Sequence, residues 1–354
     1  MSRLFEPLQI RGVQFHNRVW MSPMCQYSGE DGHPTDWHMV HLGSRAQGGA
    51  GMVMTEATAV TPEGRISPAD LGMWSDDHVE SYQRLTRFAS DQGAVPAIQL
   101  SHAGRKAGTN LPWLGGKPLD ADEDGWEPLA PSPIAFNEGY TTPRELSVEE
   151  VSGIVGAFGE SARRARDAGF KVIELHAAHG YLLHEFLSPI TNQRDDRYGG
   201  DFESRIRLAV EAAACVREEA GDHLAVFVRV SADEYVEGGW DLEQTVELSR
   251  RLKDVGVDLI DASSGGNLPH QQLHPYPGYQ AGFARTIRQQ AGIPTAAVGL
   301  ITEASHAESI LQAGDADAIF FGRVLLRDPY WPLRAARELG DEVEWRPQYV
   351  RGRP

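Results

Sequence analysis

The chain of 354 residues is 41% hydrophobic and 23% charged, the proportions of a soluble globular protein with room for a large core. A formal charge of −17 argues against a nucleic-acid groove or an anionic membrane surface, while leaving room for a local basic pocket that takes phosphate. Cys25 and Cys215 are the only cysteines, too few for a disulfide framework or a cysteine metal cluster. The opening residues lack the apolar run of a signal peptide and no stretch approaches a membrane span, so a cytoplasmic location is expected.

Short apolar runs recur along the chain: Asn17–Met24, Gly51–Val60, Val95–Ser101, Lys171–Ala177, Ala225–Ala232, Asp258–Ser263, Pro294–Leu300 and Ala318–Arg323. Most are continuously apolar and rich in Val and Ile, as strands covered on both faces should be. Between them, amphipathic patterns predict helices over Asp36–Gln47, Asp76–Gln92, Ser147–Ala168, Asp201–Ala220, Asp241–Val255 and Glu303–Gln312. Several open on an acidic residue or Ser and close at Gly. The alternation predicts an α/β protein, a (β/α)8 TIM barrel over residues 1–340 as a single domain. A doubly wound open sheet is disfavoured, because no run leads through Gly-x-Gly-x-x-Gly into a helix. Residues 104–147, after strand 3, are far too long for a routine loop and predict a capping insertion containing Trp113 and Trp126. The charges of residues 194–200 (RDDRYGG) read as ion pairs that fix a loop, and residues 341–354 as a tail too apolar and basic to be merely frayed.

In a barrel the chemistry sits at the C-terminal ends of the strands, so polar residues late in each run are informative. The stretch Lys171–Tyr181 (KVIELHAAHGY) passes from buried strand to His176, His179 and Tyr181. Strand side chains alternate, so the two histidines can converge only if the strand ends near Ala177 and the chain turns, for which Gly180 is suited. Alone, the pair reads equally well as one core histidine and one loop histidine. Gly299 after strand 7 and Gly322-Arg323 after strand 8 occupy the places where barrels bind phosphate: glycine permits close backbone approach and arginine supplies a planar fork. Arg229, inside an apolar strand, needs a partner, and Glu174 of the adjacent strand is the expected one. Its remaining donors could stabilise a negatively charged ring on a cofactor, and Gln99 could hydrogen-bond the same heterocycle. A metal site using Glu174, His176 and His179 is disfavoured, since the same His-x-x-His spacing recurs at His38 and His41 on a predicted helix.

Taken together, SPMCQY (22–27), QLSHAGR (99–105), ELHAAHGY (174–181), RDDRYGG (194–200), Arg229 and Gly322-Arg323 resemble the Old Yellow Enzyme family of FMN-dependent ene-reductases over nearly the whole chain. The similarity is greatest to the bacterial, cysteine-containing "thermophilic-like" subgroup. The resemblance implies FMN bound by Ser22, Pro23, Met24, Cys25, Ala57, Gln99, Arg229, Gly299, Gly322 and Arg323. It implies NADPH as reductant and activated alkenes (α,β-unsaturated carbonyl compounds or nitroalkenes) as small-molecule substrates. His176 and His179 would bind the carbonyl oxygen, Tyr181 would protonate Cα with Tyr27 and solvent as rivals, and Cys25 would tune the flavin. Arg351 would reach a neighbouring subunit's site in a homodimer or dimer-based homotetramer. A dienoyl-CoA reductase-like activity would be expected to bring a cysteine cluster, and a non-catalytic flavin-binding role would need the pocket without a proton donor.

Overall fold

Eight of the apolar runs form strands buried along their whole length, and they close on themselves: Val19–Met21, Met52–Ala59, Val95–Ser101, Val172–Ala177, Ala225–Ser231, Leu259–Ser263, Thr295–Ala297 and Ala318–Phe321. Each pairs in parallel with its neighbours, and the first strand pairs with both the second and the eighth, giving a closed barrel. The computed structural model describes residues 1–353. Helices Asp36–Gln47, His78–Asp91, Val148–Asp167, Phe202–Ala220, Leu242–Asp254, Ala281–Ala291 and Ala304–Gln312 follow the first seven strands, and Arg323–Arg327 with Trp331–Glu338 follow the eighth. The caps read from sequence are present: the side chain of Ser147 accepts from Glu150 N, Asp201 from Ser204 N and Asp241 from Gln244 N. Caps of this kind contribute about 1 kcal/mol each.

Four helices were not anticipated: the short Leu182–Leu187, Arg323–Arg327 and Trp331–Glu338, and the longer Ala281–Ala291. Ala281–Ala291 begins at Gln280 with no side-chain cap and no acidic residue in its first turn, so its start signal is missing. Also unanticipated is the antiparallel hairpin of Leu8–Ile10 and Val13–Phe15, which plugs the N-terminal end of the barrel. Ile10, Val13 and Phe15 pack there with Trp20, Met52, Phe227 and Phe320, and the Phe15 and Trp20 rings lie 4.6 Å apart.

This plug explains where the chemistry sits. Along the strands, every second residue continues the face that packs on the plug. Climbing from Ala97, Val172, Phe227 and Leu259, the next such positions are Gln99, Glu174, Arg229 and Asp261, and the next again Ser101, His176, Ser231 and Ser263. An apolar floor therefore gives way to a charged layer and then to a layer of histidine and serine.

The insertion at 104–147 is built from short elements, among them 3-10 turns at Gly104–Lys106 and Pro112–Leu114 and a two-stranded pair of Leu129–Ala130 with Arg144–Glu145. Trp126 anchors it, donating from Nε1 to the Glu63 carbonyl at 2.8 Å with the Arg65 guanidinium 4.8 Å over its ring. Arg194 donates to the Pro131 and Leu146 carbonyls and pairs with Asp196, so the charges of that segment fasten the insertion to the barrel.

Candidate active site

The fourth strand ends at Ala177, and the chain then turns through His179 (φ +60°) and Gly180 (φ +73°). A left-handed histidine is an uncommon conformation, and several contacts hold it. Its N–H donates to Ser231 Oγ at 2.9 Å, its carbonyl accepts from Lys106 Nζ at 2.8 Å, and its Nε2 lies 2.7 Å from Ser263 Oγ. Lys106 Nζ also donates to the Gly266 carbonyl and sits 4.2 Å over the Phe136 ring of the insertion. Gly180 is required here, since a Cβ would stand 2.6 Å from the Gly266 oxygen.

The turn brings the histidines together. His179 Nδ1 lies 3.4 Å from His176 Nε2, with the rings nearly perpendicular. The Tyr181 ring packs edge-on against His176 at 4.9 Å between centroids. Burial lowers both imidazoles well below the usual histidine range, and the charge of Arg229 acts in the same direction, so both are neutral near pH 7. Burial also raises Tyr181 and Tyr27 above the ordinary phenol range, and raises the Cys25 thiol well above its usual value. Cys25, Tyr27 and Tyr181 pack around Ala57, Ile66, Ala103 and Ala107, so residues from the first four strands share one wall. Cys25 is a half-buried thiol held protonated, not an activated thiolate.

Beneath the histidines lies the charged layer, where one expectation is corrected. The acidic partner of Arg229 is Asp261, with Nε 3.2 Å from Oδ2, and not Glu174. That contact is close but not aligned as a hydrogen bond, and the aligned bond of Arg229 runs from Nη1 to Ser22 Oγ at 3.2 Å. Glu174 instead accepts from Gln99 Nε2 at 2.8 Å. Burial, reinforced by the charge of Asp261, raises the Glu174 carboxyl well above its usual range. The register makes Asp261 the direct neighbour of Arg229 on the sixth strand, whereas its counterpart on the fourth is His176. An acidic residue inside an apolar run carried the same signal as Arg229 and could have been found by it. Ser231 and Lys106 carried no signal of their own.

Arg229, Ser263, Gly299, Gly322 and Arg323 line one cavity of ≈ 240 Å³, to which Gln280, Tyr279 and Thr302 also contribute. The residues fit a flavin mononucleotide. Arg229 Nε lacks an aligned acceptor, Gly299 has φ +123°, and a Cβ on Gly322 would meet nothing nearer than Met24 Sδ at 3.7 Å. A guanidinium with donors to spare, an open glycine backbone at Gly322, a left-handed glycine at Gly299 and a second arginine match an anionic ring and a phosphate. Two larger hollows of ≈ 430 Å³ lie elsewhere, one between the first two outer helices around Met39 and Phe88, the other between the insertion and the third helix around Glu127 and Ile154. Arg351 lies on an exposed 3-10 turn, Pro347–Gly352, outside the group that converges on the histidines.

Comparison with known proteins agrees with this geometry. The chain is 47% identical to an NADPH dehydrogenase of Geobacillus thermodenitrificans over 99% of its own length and 98% of the relative's. Among solved structures it is similar to morphinone reductase (28% identity, TM-score 0.79, covering 98% of this chain and 92% of that one). It is also similar to an Old Yellow Enzyme homologue from Zymomonas mobilis (26% identity, TM-score 0.78, 99% of each chain). A family model described as NADH:flavin oxidoreductase / NADH oxidase matches residues 3–342, and the chain belongs to that family of FMN oxidoreductases.

Proposed function

We propose that this flavin oxidoreductase uses NADPH to reduce the carbon–carbon double bond of α,β-unsaturated carbonyl compounds or nitroalkenes. The observation that carries the reading is the pair of neutral ring nitrogens, His176 Nε2 and His179 Nδ1, converging 3.4 Å apart beside Tyr181. Gln99 would meet the pyrimidine edge of FMN, Arg229 its N1 and C2 carbonyl, Ser22, Pro23, Met24, Cys25 and Ala57 its ring, and Gly299, Gly322 and Arg323 its phosphate. When bound, FMN supplies the hydride chemistry, accepting from NADPH and delivering to the substrate's Cβ.

The protein does the rest. His176 and His179 hold the carbonyl or nitro oxygen, and donors directed at the atom where negative charge develops stabilise the transition state. Tyr181 keeps its proton until a strong base appears, since burial holds its pKa above the usual phenol value. A carbon bearing enolate charge is such a base, and Tyr181 protonates it at Cα. Tyr27, raised by burial in the same way, is the alternative donor. Arg351 is assigned to the mouth of a partner subunit's site in a homodimer or dimer-based tetramer. Support for this comes from the exposed apolar side chains Trp37, Val40, Tyr349 and Val350.

Stopped-flow spectroscopy of the flavin tests the reading. NADPH should bleach the flavin, and enones should restore it. In Tyr181→Phe the restoration by enone should slow at least tenfold while the bleaching changes little. Equal slowing of both half-reactions would remove Tyr181 as the acid, and no reoxidation by any enone or nitroalkene would remove the alkene as substrate.

A further inference from the structure

Two donors are needed on one oxygen, yet the hydrogen bonds of the free site do not give His179 the tautomer that supplies the second. The tautomer of His176 is fixed: Ala178 N–H donates to Nδ1 at 3.3 Å, so Nε2 carries the hydrogen. That N–H faces His179 Nδ1 at 3.4 Å, and the two atoms are complementary only if Nδ1 presents its lone pair. His179 then carries its hydrogen on Nε2, directed at Ser263 Oγ, 2.7 Å away. Ser263 accepts it and turns its own hydrogen toward Gln280 Oε1 at 3.4 Å. The chain of donors from His176 to Gln280 is continuous.

An oxygen entering between the rings reverses the requirement. A lone pair on His179 Nδ1 would repel it, and only the other neutral tautomer, with hydrogen on Nδ1, donates to it. Nε2 is then an acceptor, and its neighbour must donate. A hydroxyl can do both by rotating, which neither an amide nitrogen nor a carbonyl can. Ser263 is buried, and its bond to Gln280 is the weaker of its two contacts. Gln280 Oε1 meanwhile keeps a 2.6 Å bond from Ser264 Oγ, so release of Ser263 leaves no acceptor unpaired.

We propose that Ser263 is a positioning residue whose hydroxyl reverses its hydrogen bond to His179 when substrate oxygen binds, so that the imidazole exchanges tautomers and becomes the second donor. The proton count is unchanged: one proton leaves Nε2, one is taken up at Nδ1 through water, and nothing is oxidised or reduced. The backbone of His179 stays fixed throughout by Ser231 and Lys106. The proposal rests on the reading that this pair binds the substrate's oxygen.

The test uses FMN-loaded enzyme with ¹⁵N-labelled imidazoles, titrated with phenol as a non-reacting oxygen ligand. Spectra that correlate ring nitrogens with ring protons distinguish the tautomers, and His179 is assigned from its loss in His179→Gln. The expected result is an Nε2–H tautomer in the free enzyme and an Nδ1–H tautomer in the complex. Ser263→Ala should weaken phenol binding about tenfold, the order of one hydrogen bond, with Ser263→Thr restoring affinity and exchange. Phenol bound to the wild-type enzyme with His179 in an unchanged tautomer overturns the proposal, as does wild-type affinity in a flavin-loaded Ser263→Ala. Should Ser263→Ala fail to fold, the wild-type spectra decide alone. If phenol perturbs neither the flavin absorbance nor the spectra, the oxygen-binding reading itself falls, an outcome distinct from binding without exchange.

Discussion

At the scale of single residues, the site depends on burial deciding which groups are charged. Arg229 lies buried inside the barrel, and the carboxylate paired with it is Asp261, itself fully buried. Removing one member of a buried pair typically costs about 3–5 kcal/mol, because the survivor is left charged and uncompensated. Asp261→Asn should therefore destabilise the protein by roughly that amount in urea unfolding at constant flavin saturation. Glu174→Gln should cost much less, since Glu174 is held toward its neutral form and its bond is to an amide. The reverse order would restore Glu174 as the partner of Arg229. The sequence made Arg229 conspicuous but not its partner, because charge in an apolar run is visible and strand register is not.

His102 gives a pH dependence with a definite sign. Burial lowers its pKa to about 4. The unfolded chain, near 6.5, takes up a proton that the folded chain refuses. The stability this contributes is intact above pH 6.5 and lost as pH falls from there toward 4. His102 Nδ1 accepts from Gly104 N at 3.1 Å, a bond that an asparagine oxygen can reproduce. His102→Asn should flatten the fall in unfolding free energy between pH 6.5 and 4 by up to roughly 1.4 kcal/mol per pH unit. An unaltered slope would show that His102 takes up its proton as readily in the folded protein as in the unfolded chain.

At the scale of elements, the turn after the fourth strand decides whether the histidines meet. Strand, turn and tyrosine were legible in residues 171–181, because an apolar run, a glycine and a change of polarity are local signals. The left-handed His179 was not, since it is imposed from outside by Ser231, Ser263 and Lys106, which lie far away in sequence. The helix at Ala281–Ala291 and the plugging hairpin were missed for related reasons: one has no cap to announce it, and the other is too short for its alternation to show. Gly180→Ala should test how tightly the turn is specified. Its Cβ would stand 2.6 Å from the Gly266 oxygen and 2.7 Å from Asn267 Cα at a positive φ. Both neighbours are backbone and have little room to yield. A loss of about 1–3 kcal/mol is expected, together with weaker phenol binding. Wild-type stability and affinity would mean that the turn relaxes without moving His179.

At the scale of the whole molecule, the question is whether one chain completes its own site. Arg351 stands exposed on the terminal 3-10 turn, beside the exposed Tyr349 and Val350. Tyr349 packs on Tyr330 at 5.9 Å, and Arg45 of the first helix donates to the carbonyls of Leu325 and Leu326, so tail and first helix border one region. Trp37 and Val40 of that helix are 57% and 69% exposed, which is costly for side chains of their size unless another surface covers them. If a second copy does so and Arg351 enters that copy's site, two crippled chains can repair one another. A chain carrying Arg351→Ala keeps its own histidines but withholds its arginine; a chain carrying His176→Ala does the opposite. In a mixed dimer the Arg351→Ala chain keeps an intact His176 and receives the arginine of its partner. Mixing the two variants under conditions of subunit exchange should then raise enone reduction well above the sum of the separate activities. If Arg351 acts within its own chain, or not at all, the mixture shows only that sum.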